Sequence, residues 1–363
     1  MNGSATLVQV RRGLLPFIGL ALSFLFCGVM LLLFQIDPVK TYGSIFSRAF
    51  GSINGISQTI GAAIPMIVIA AGISFAQKAG IFNIGAEGQM MMGALGAQLA
   101  AMQTQGLSPV PAILFTLLGG FVSGALWASL PGLLRAGLGI NEIVVTIMMN
   151  QIAAYLLAFL VRSPLKDPND FNSQAVLIPQ NAQLPSLVGD TKIHLGLVVA
   201  ILLLIALFAL VRYTAFGYRI TVVGASPRTA TYSGISAPGV VFLTFLIAGG
   251  IAGLAGANEV AGMQYRLTGS ISNGYGFVGL TVAMIAGGNP LMIMAVSVLY
   301  SALQVGGLVI QITQHVPMEL ANIIQAVTVL FVLCTENFYV AYRNNREKRQ
   351  RARALRAEEV QNG

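Results

Sequence analysis

One short polar stretch opens an apolar part of the chain, and its side chains are of types that contact polar solutes. From Gly80 to Gln89 it places the carboxylate of Glu87, the amide of Asn83 and several glycines ahead of a long apolar run. A charge beside an apolar segment is costly and usually functional, and a helix that begins there offers free backbone N–H groups. The alternative is structural, with Asn83 capping the helix and Glu87 stabilising its first turn.

A second stretch of this kind runs from Ser272 to Phe277, where an asparagine and two glycines open another apolar segment. Paired glycine-interrupted segments in corresponding positions of two halves indicate a transport pathway. Asn150, inside a further apolar run, has two interpretations, as a donor to the pathway or as an interhelical hydrogen bond. The residues that we predict along a substrate pathway are Phe82, Asn83, Glu87, Gln89, Asn150, Asn273, Tyr275 and Phe277.

Membrane helices must position these residues. Of the 363 residues, 56% are hydrophobic and only 9% are charged, whereas soluble domains average about 25% charged residues. We therefore predict an all-α polytopic membrane protein of about ten transmembrane helices, with two inverted four-helix halves at 58–161 and 239–338 and extra helices. The segments near 81–102 and 273–288 are rich in glycine and are expected to be short or broken. The ten predicted segments are 14–35, 58–77, 81–102, 111–133, 142–161, 194–212, 239–257, 273–288, 291–311 and 319–338.

The distribution of lysine and arginine predicts the orientation. Most of the 20 basic residues fall on the cytoplasmic side when both termini are cytoplasmic. Residues 1–342 would then form the permease domain, and 343–363 a basic cytoplasmic tail that anchors the topology and could touch anionic lipid. This topology accounts for the net charge of +8 better than nucleic-acid binding does.

The sequence contains no motif for its own energy source or catalytic centre. None of its lysines follows a glycine, so the chain has no P-loop. Gly274, Gly276 and Gly279 match G-x-G-x-x-G, but they lie in a long uncharged run and are better explained by a broken helix. The histidines His194 and His315 form no catalytic cluster in the sequence. We expect no cofactor and no metal in this chain.

The predicted cytoplasmic loop, residues 213–238, contains the signals of a short helix. Ser226 is a natural N-cap, Pro227 suits the first helical position, and Gly234 is a natural stop. A loop between two spans does not need such a helix.

These stretches carry a resemblance to a known family. The segment from Gly80 to Gln89, the run at 141–144 and the loop at 226–234 resemble the permease subunits of ATP-binding-cassette (ABC) importers of the branched-chain amino acid, simple sugar and nucleoside type. They are most similar to the nucleoside (BmpA-linked) permeases. The resemblance implies that 226–236 is the coupling helix that docks on a separate ATPase subunit. The residues that it assigns to coupling are Ser226, Pro227, Arg228, Ala230, Tyr232 and Gly234.

The resemblance also implies the partners of the chain. They are the ATPase subunit that binds ATP, a second homologous permease, an external substrate-binding lipoprotein and a nucleoside as solute. The chain would be a multi-pass protein of the cytoplasmic membrane and not an enzyme in itself.

Other functions stay open at this point. The solute could be a simple sugar or a branched-chain amino acid. A stand-alone secondary transporter would need membrane-embedded ionisable groups, for which Glu87 and Glu259 are the candidates. A membrane-embedded enzyme is a third possibility, although the histidines give it no cluster. Glu259 could also pair with Arg266, seven residues further on, or the two could lie in an exposed loop without pairing.

Overall fold

The computed structural model describes residue 19, residues 21–189 and 191–314, and positions 323, 327, 331 and 334. Helices account for the regular structure of this part of the chain, in which only isolated β-bridges accompany them. The all-α polytopic fold predicted from the sequence is therefore confirmed.

The helices are named here in chain order. They are α1 (Ala21–Leu33), α2 (Pro38–Phe50), α3 (Ile53–Gln77), α4 (Ala86–Met102), α5 (Pro109–Leu138), α6 (Glu142–Arg162), α7 (Gly196–Tyr213), α8 (Ala215–Ala225), α9 (Pro227–Tyr232), α10 (Ala237–Asn258), α11 (Tyr275–Ala286) and α12 (Pro290–Gln314). A 3₁₀ turn lies at Gln180–Ala182, and α10 continues as a π-helical stretch over Glu259–Gln264.

Six of these helices are long and apolar enough to cross a membrane, while α1 and α11 are apolar but shorter. A helix lies at each of the first nine predicted segments, and the tenth, 319–338, lies outside the described residues apart from isolated positions. The six long candidates are Ile53–Gln77, Pro109–Leu138, Glu142–Arg162, Gly196–Tyr213, Ala237–Gln264 and Pro290–Gly307.

The structure corrects three details of the sequence prediction. The third segment begins at Ala86 rather than at 81, because Gly80 has a φ of +72° and the residues up to Gly85 are not helical. Helix α8 occupies part of what was predicted as a loop, and α2 was not predicted at all. Both are short, and α2 carries charged residues, so the search for long uncharged runs missed them.

The chain divides into two compact units. Residues 47–305 form the larger unit, which contains all of α3 to α11. The smaller unit comprises 1–46 and 306–363. In it, α1 packs on α2 around Cys27 and Leu31, and the Tyr42 hydroxyl donates a hydrogen bond to a backbone carbonyl of α1 at 2.7 Å.

Glycines let α4, α5 and α10 approach closely in the larger unit. Gly253 of α10 lies against Gly93 of α4 and against Gly120 and Gly124 of α5, and a Cβ on Gly253 would overlap the backbone of α5. Small residues drive such packing in membranes, where lipid tails are as apolar as the side chains and the hydrophobic effect gives little.

The first helix of each predicted half packs on the second helix of the other half. Helix α3, the first of one half, packs on α11 of the other, and α10, the first of the second half, packs on α4. Helix α4 follows the non-helical segment 78–85, and α11 follows the non-helical segment 265–274. The two described sets of helices are thus packed reciprocally, while the inverted orientation of the two halves stays a prediction.

Candidate functional site

The first turns of α4 and α11 meet inside the larger unit. The carboxylate of Glu87, in the first turn of α4, accepts a hydrogen bond from the backbone N–H of Gly276 at 2.6 Å. The Ser272 hydroxyl and the N–H groups of Gly274 and Phe277 also face this carboxylate. A negative charge at a helix start binds unpaired N–H groups and opposes the positive end of the helix dipole. Glu87 therefore stabilises the start of α11, in addition to lying in the first turn of its own helix α4.

Glycine is required where the two helices touch. A Cβ on Gly276 would overlap the backbone of Glu87. Gly274, which precedes α11, has a φ of +78°, and Asn273 has a φ of +44°. The glycines between 272 and 277 thus allow the chain to turn into α11 against another helix.

Asn83 and Gln89 form a reciprocal amide pair beside this contact. Asn83 donates to Gln89 Oε1 at 2.8 Å, and Gln89 donates to Asn83 Oδ1 at 3.1 Å. Asn83 Oδ1 also accepts from the N–H of Gly85, the residue that caps α4. Both side chains are buried. The structural alternative predicted that Asn83 caps α4, but the N-cap is Gly85 and no side-chain cap bond is formed, so Asn83 supports the turn before the helix instead.

Asn150 ties α6 to the start of α4. Its Oδ1 accepts from the N–H of Gly88 at 2.9 Å, and its Nδ2 donates to the carbonyl of Ile84 at 3.0 Å. The interhelical interpretation of Asn150 is the one that the geometry supports. We call the buried set of Asn83, Glu87, Gln89, Asn150 and the first turn of α11 the junction.

The predicted pathway residues divide into two groups. The four polar residues of the junction are buried and engaged with one another or with backbone, and Tyr275 is buried too. Phe82, Asn273 and Phe277 are exposed, with 46% of Phe82 and 49% of Phe277 accessible. Only the exposed group can touch a solute without rearrangement of the junction.

The predicted short helix exists and is capped as expected. Helix α9 begins after Ser226, whose hydroxyl accepts from the N–H of Thr229 at 3.3 Å, and Gly234 follows its end with a φ of +73°. Ala230 is fully buried and anchors the helix. Arg228 and Tyr232 are exposed, Tyr232 to 93%.

Helix α8 links α9 to the segment that leads into the junction. Gly224, near the end of α8, lies against the carbonyl of Lys78, and a Cβ there would overlap it. The same segment, 78–85, is held further along by Glu142, which accepts from the N–H of Phe82 at 3.4 Å. Glu142 in turn pairs with Arg135 at 3.2 Å. The non-helical segment is therefore contacted at its start, Lys78, and near its middle, Phe82.

A second buried polar set was not recognised as a group from the sequence. It consists of His194 and Asn258, which both lie against Gly196, together with Glu259, the residue after Asn258, and we call it the His194 cluster. The His194 ring lies against Gly196 and Gly262, and its Nδ1 accepts from the N–H of Gly196 at 3.1 Å. In the described part of the chain, His194 Nε2, both polar atoms of Asn258 and Glu259 Oε2 have no partner. The sequence signal was the Asn258–Glu259 pair at the end of a long apolar run.

Arg266 pairs with Asp170 at 3.0 Å and not with Glu259, whose other oxygen accepts from Gln264 at 3.2 Å. The suggested Glu259–Arg266 pair is therefore wrong. The backbone N–H of Asn172, with help from Gln174 and Arg266, holds the pKa of Asp170 below its ordinary value.

Comparison with known proteins places the chain among transport proteins. The family described as "Branched-chain amino acid transport system / permease component" matches residues 55–333. The chain is 32% identical over 326 residues to the glucose ABC transporter permease protein TsgB13 of Haloferax volcanii. The aligned region covers 87% of this chain and 85% of that protein.

Two further relatives have a similar span. The nucleoside ABC transporter permease protein NupB of Lactococcus lactis is 31% identical over 333 residues, covering 89% of this chain and 91% of that protein. The guanosine ABC transporter permease protein NupP of Bacillus subtilis is 29% identical over 325 residues, covering 88% and 92%.

Proposed function

We propose, from the premise that this chain belongs to the family of permease components of branched-chain amino acid transport systems, that it forms half of a translocation pathway for nucleosides. As an ABC permease and a multi-pass membrane protein, it is a transport subunit rather than a catalyst. A separate ATPase subunit would bind the ATP. A second homologous permease and an external binding lipoprotein would complete the importer, and both termini of this chain would be cytoplasmic.

The choice of nucleosides rests on relatives and on one feature of the site. The relatives NupB and NupP are named as a nucleoside permease and a guanosine permease, respectively. The feature is Phe277, which is half exposed in the first turn of α11, directly after the glycine that Glu87 holds. An exposed aromatic ring at a broken helix offers a stacking surface to a nucleobase.

Glucose is the second candidate, because the Haloferax volcanii relative is named as a glucose permease and is 32% identical. A hexose has no aromatic base, so it would depend on hydrogen bonds from groups such as the exposed amide of Asn273. Replacing Phe277 by leucine separates the two solutes. Nucleoside uptake should then fall several-fold, since base stacking is worth about 1–3 kcal/mol, while glucose uptake should change little.

We assign ATPase coupling to α9. Its exposed Arg228 and Tyr232 are free to dock on a partner, while the buried Ala230 fixes the helix to the body of the permease. A displacement of α9 would move α8, and the contact of Gly224 with Lys78 would carry it into segment 78–85 and so to the junction. The route is short, because α8 and α9 are separated by Ser226 alone.

Uptake in cells tests the solute. Cells that lack this gene, and the same cells complemented with it, are given radiolabelled adenosine, uridine, glucose or leucine. Loss of nucleoside uptake alone, restored by complementation, is the expected result. Loss of glucose or leucine uptake instead would contradict the proposed solute while keeping the permease role.

A matched pair of variants tests the coupling role. Arg228→Glu with Tyr232→Ala should lower uptake by more than tenfold in vesicles that contain the whole transporter, while ATP hydrolysis continues. The control is Arg219→Glu with Tyr218→Ala, which changes the same residue types at exposed positions of α8. Equal uptake in the two double variants would overturn the assignment.

A further inference from the structure

A cavity of about 280 Å³ opens at one end of the larger unit, where α3 and α7 end and α12 begins. It does not include any residue of the junction or of α9. Apolar side chains form most of its wall, among them Phe75 of α3 and Leu207 and Phe208 of α7. Ser74, Lys78 and Arg212 supply its polar part. Its lining therefore combines a mostly apolar wall with two cationic side chains.

The two cations have no described counter-charge. Lys78 directly follows α3, and Arg212 lies in the last turn of α7. Among the described residues, the ion pairs involve other basic side chains, and none includes Lys78 or Arg212. A Cβ placed on Gly288 would lie 3.4 Å from Lys78 Nζ, so the ammonium group points along the mouth of the cavity toward the turn before α12. Two positive charges therefore face a space without a carboxylate.

The Ser74 hydroxyl gives independent evidence for a polar ligand. Ser74 is only 8% exposed, lines the cavity and has no hydrogen-bond partner among the described residues. Serine inside a helix normally donates to the carbonyl one turn earlier, and a buried hydroxyl without a partner is rare and costly. A ligand oxygen in the cavity would give this donor its bond.

The surroundings of the cavity are those of a lipid. Helix α7 has the highest mean hydropathy of the six candidate spans, 2.6, and only 22% of its most apolar window is buried inside the protein. Phe208, at the edge of the cavity, is 43% exposed. Arg212 and Lys78 stand at the ends of their helices, where the membrane interface is expected.

We propose that this cavity binds an anionic phospholipid, with its phosphate between Lys78 and Arg212 and an acyl chain along α7. Basic pockets between membrane helices recognise such head groups by charge, while the apolar wall recognises the chain. The phosphate oxygens would accept from the two cations and from Ser74. Because Lys78 opens segment 78–85, a bound lipid would also restrain the segment that leads into the junction.

Lipid titration of the purified full chain tests the proposal. The protein is stripped of lipid in detergent, titrated with phosphatidylglycerol and examined by native mass spectrometry. Lys78→Gln with Arg212→Gln should weaken the tightest bound phosphatidylglycerol by about 30-fold, since each basic residue near anionic lipid is worth about a factor of five. The control, Lys166→Gln with Arg219→Gln, removes the same charge from exposed positions that do not line the cavity and should change binding little.

Further measurements distinguish a specific lipid site from a diffuse charge effect and from a site for a free anion. Ser74→Leu keeps both charges but fills the cavity, and it should also weaken phosphatidylglycerol while the protein elutes normally on size exclusion. Phosphatidylcholine with the same acyl chains should bind at least tenfold more weakly. Equal loss in the control variant would indicate a diffuse charge effect and overturn the site. Displacement of the lipid by millimolar inorganic phosphate would identify a free-anion site and overturn the lipid as its ligand.

Discussion

The junction and the His194 cluster are both buried polar sets in a largely apolar protein, yet they differ in how their hydrogen bonds are used. In the junction, Asn83 and Gln89 satisfy each other, and Asn150 bonds two backbone groups of the segment entering α4. In the His194 cluster, buried polar atoms on all three side chains lack a partner among the described residues. Both sets contain a buried glutamate.

This difference distinguishes buried polar groups that hold helices together from buried polar groups that could bind water or a ligand. A buried network whose members are all bonded stabilises one arrangement of the helices, and removing one member leaves its partners unpaired. Buried groups without partners already carry that cost, so they are places where water or a ligand group would be gained. Polar residues in apolar segments therefore do not by themselves mark a pathway, and the state of their hydrogen bonds must be known as well.

The largest effect is expected at the helix contact itself. Gly276→Ala forces a Cβ into the backbone of Glu87, and we expect it to lower the free energy of unfolding by about 3 kcal/mol. Thermal unfolding of the purified chain, followed by the fluorescence of its single tryptophan, Trp127, measures this. Gly269→Ala is the control, because nothing lies within 4 Å of a Cβ there. Similar melting temperatures for the two variants would show that the helices do not meet at Gly276.

An intermediate effect should distinguish the two glutamates. Glu87→Gln replaces one of the two acceptor oxygens that face the start of α11, at an expected cost of about 2 kcal/mol, because a buried donor left without a partner costs about 1–3 kcal/mol. Glu259→Gln should cost less than about 0.5 kcal/mol, since one of its oxygens has no partner among the described residues. Tryptophan fluorescence on heating measures both. A larger loss for Glu259→Gln would reverse the comparison.

The smallest difference is expected between two asparagines. Asn150→Leu leaves the N–H of Gly88 and the carbonyl of Ile84 unpaired, and interhelical hydrogen bonds in membranes suggest a cost of about 1 kcal/mol. Asn258→Leu removes two unpartnered polar atoms at similar volume and should be neutral or stabilising. The same unfolding measurement applies, and a strongly destabilised Asn258→Leu would mean that bound water satisfies this amide.

Local signals were read correctly because they act over a few residues. Ser226, Pro227 and Gly234 delimit α9 through bonds and backbone angles within one short segment, so their types and spacing were sufficient. Asn141 likewise accepts from the N–H of Ile143 at the start of α6, at the residue before the predicted segment 142–161. The predicted boundary between segments 273–288 and 291–311 also agrees with the end of α11 at Ala286 and the start of α12 at Pro290.

The sequence did not predict the short helices or the contacts between residues that are far apart in the chain. Helix α8 was missed because a search for long apolar runs does not detect 11 residues beside a basic loop. The partner of Arg266 was misassigned because Asp170 lies 96 positions away in the sequence. The His194 cluster joins a residue that precedes α7 to the last residue of α10 and the residue after it, and no periodicity links them.

The sequence by itself determined that this chain is an all-α membrane protein with two glycine-interrupted helices, since the apolar spans and their breaks are properties of continuous segments. Only the tertiary structure decided what the polar residues in those breaks do. Glu87 serves a helix 189 positions away, whereas Phe82 and Phe277 stay exposed. Hydrogen bonds across helices depend on how α3, α4, α10 and α11 pack, and that packing is set by many small contacts along their whole lengths.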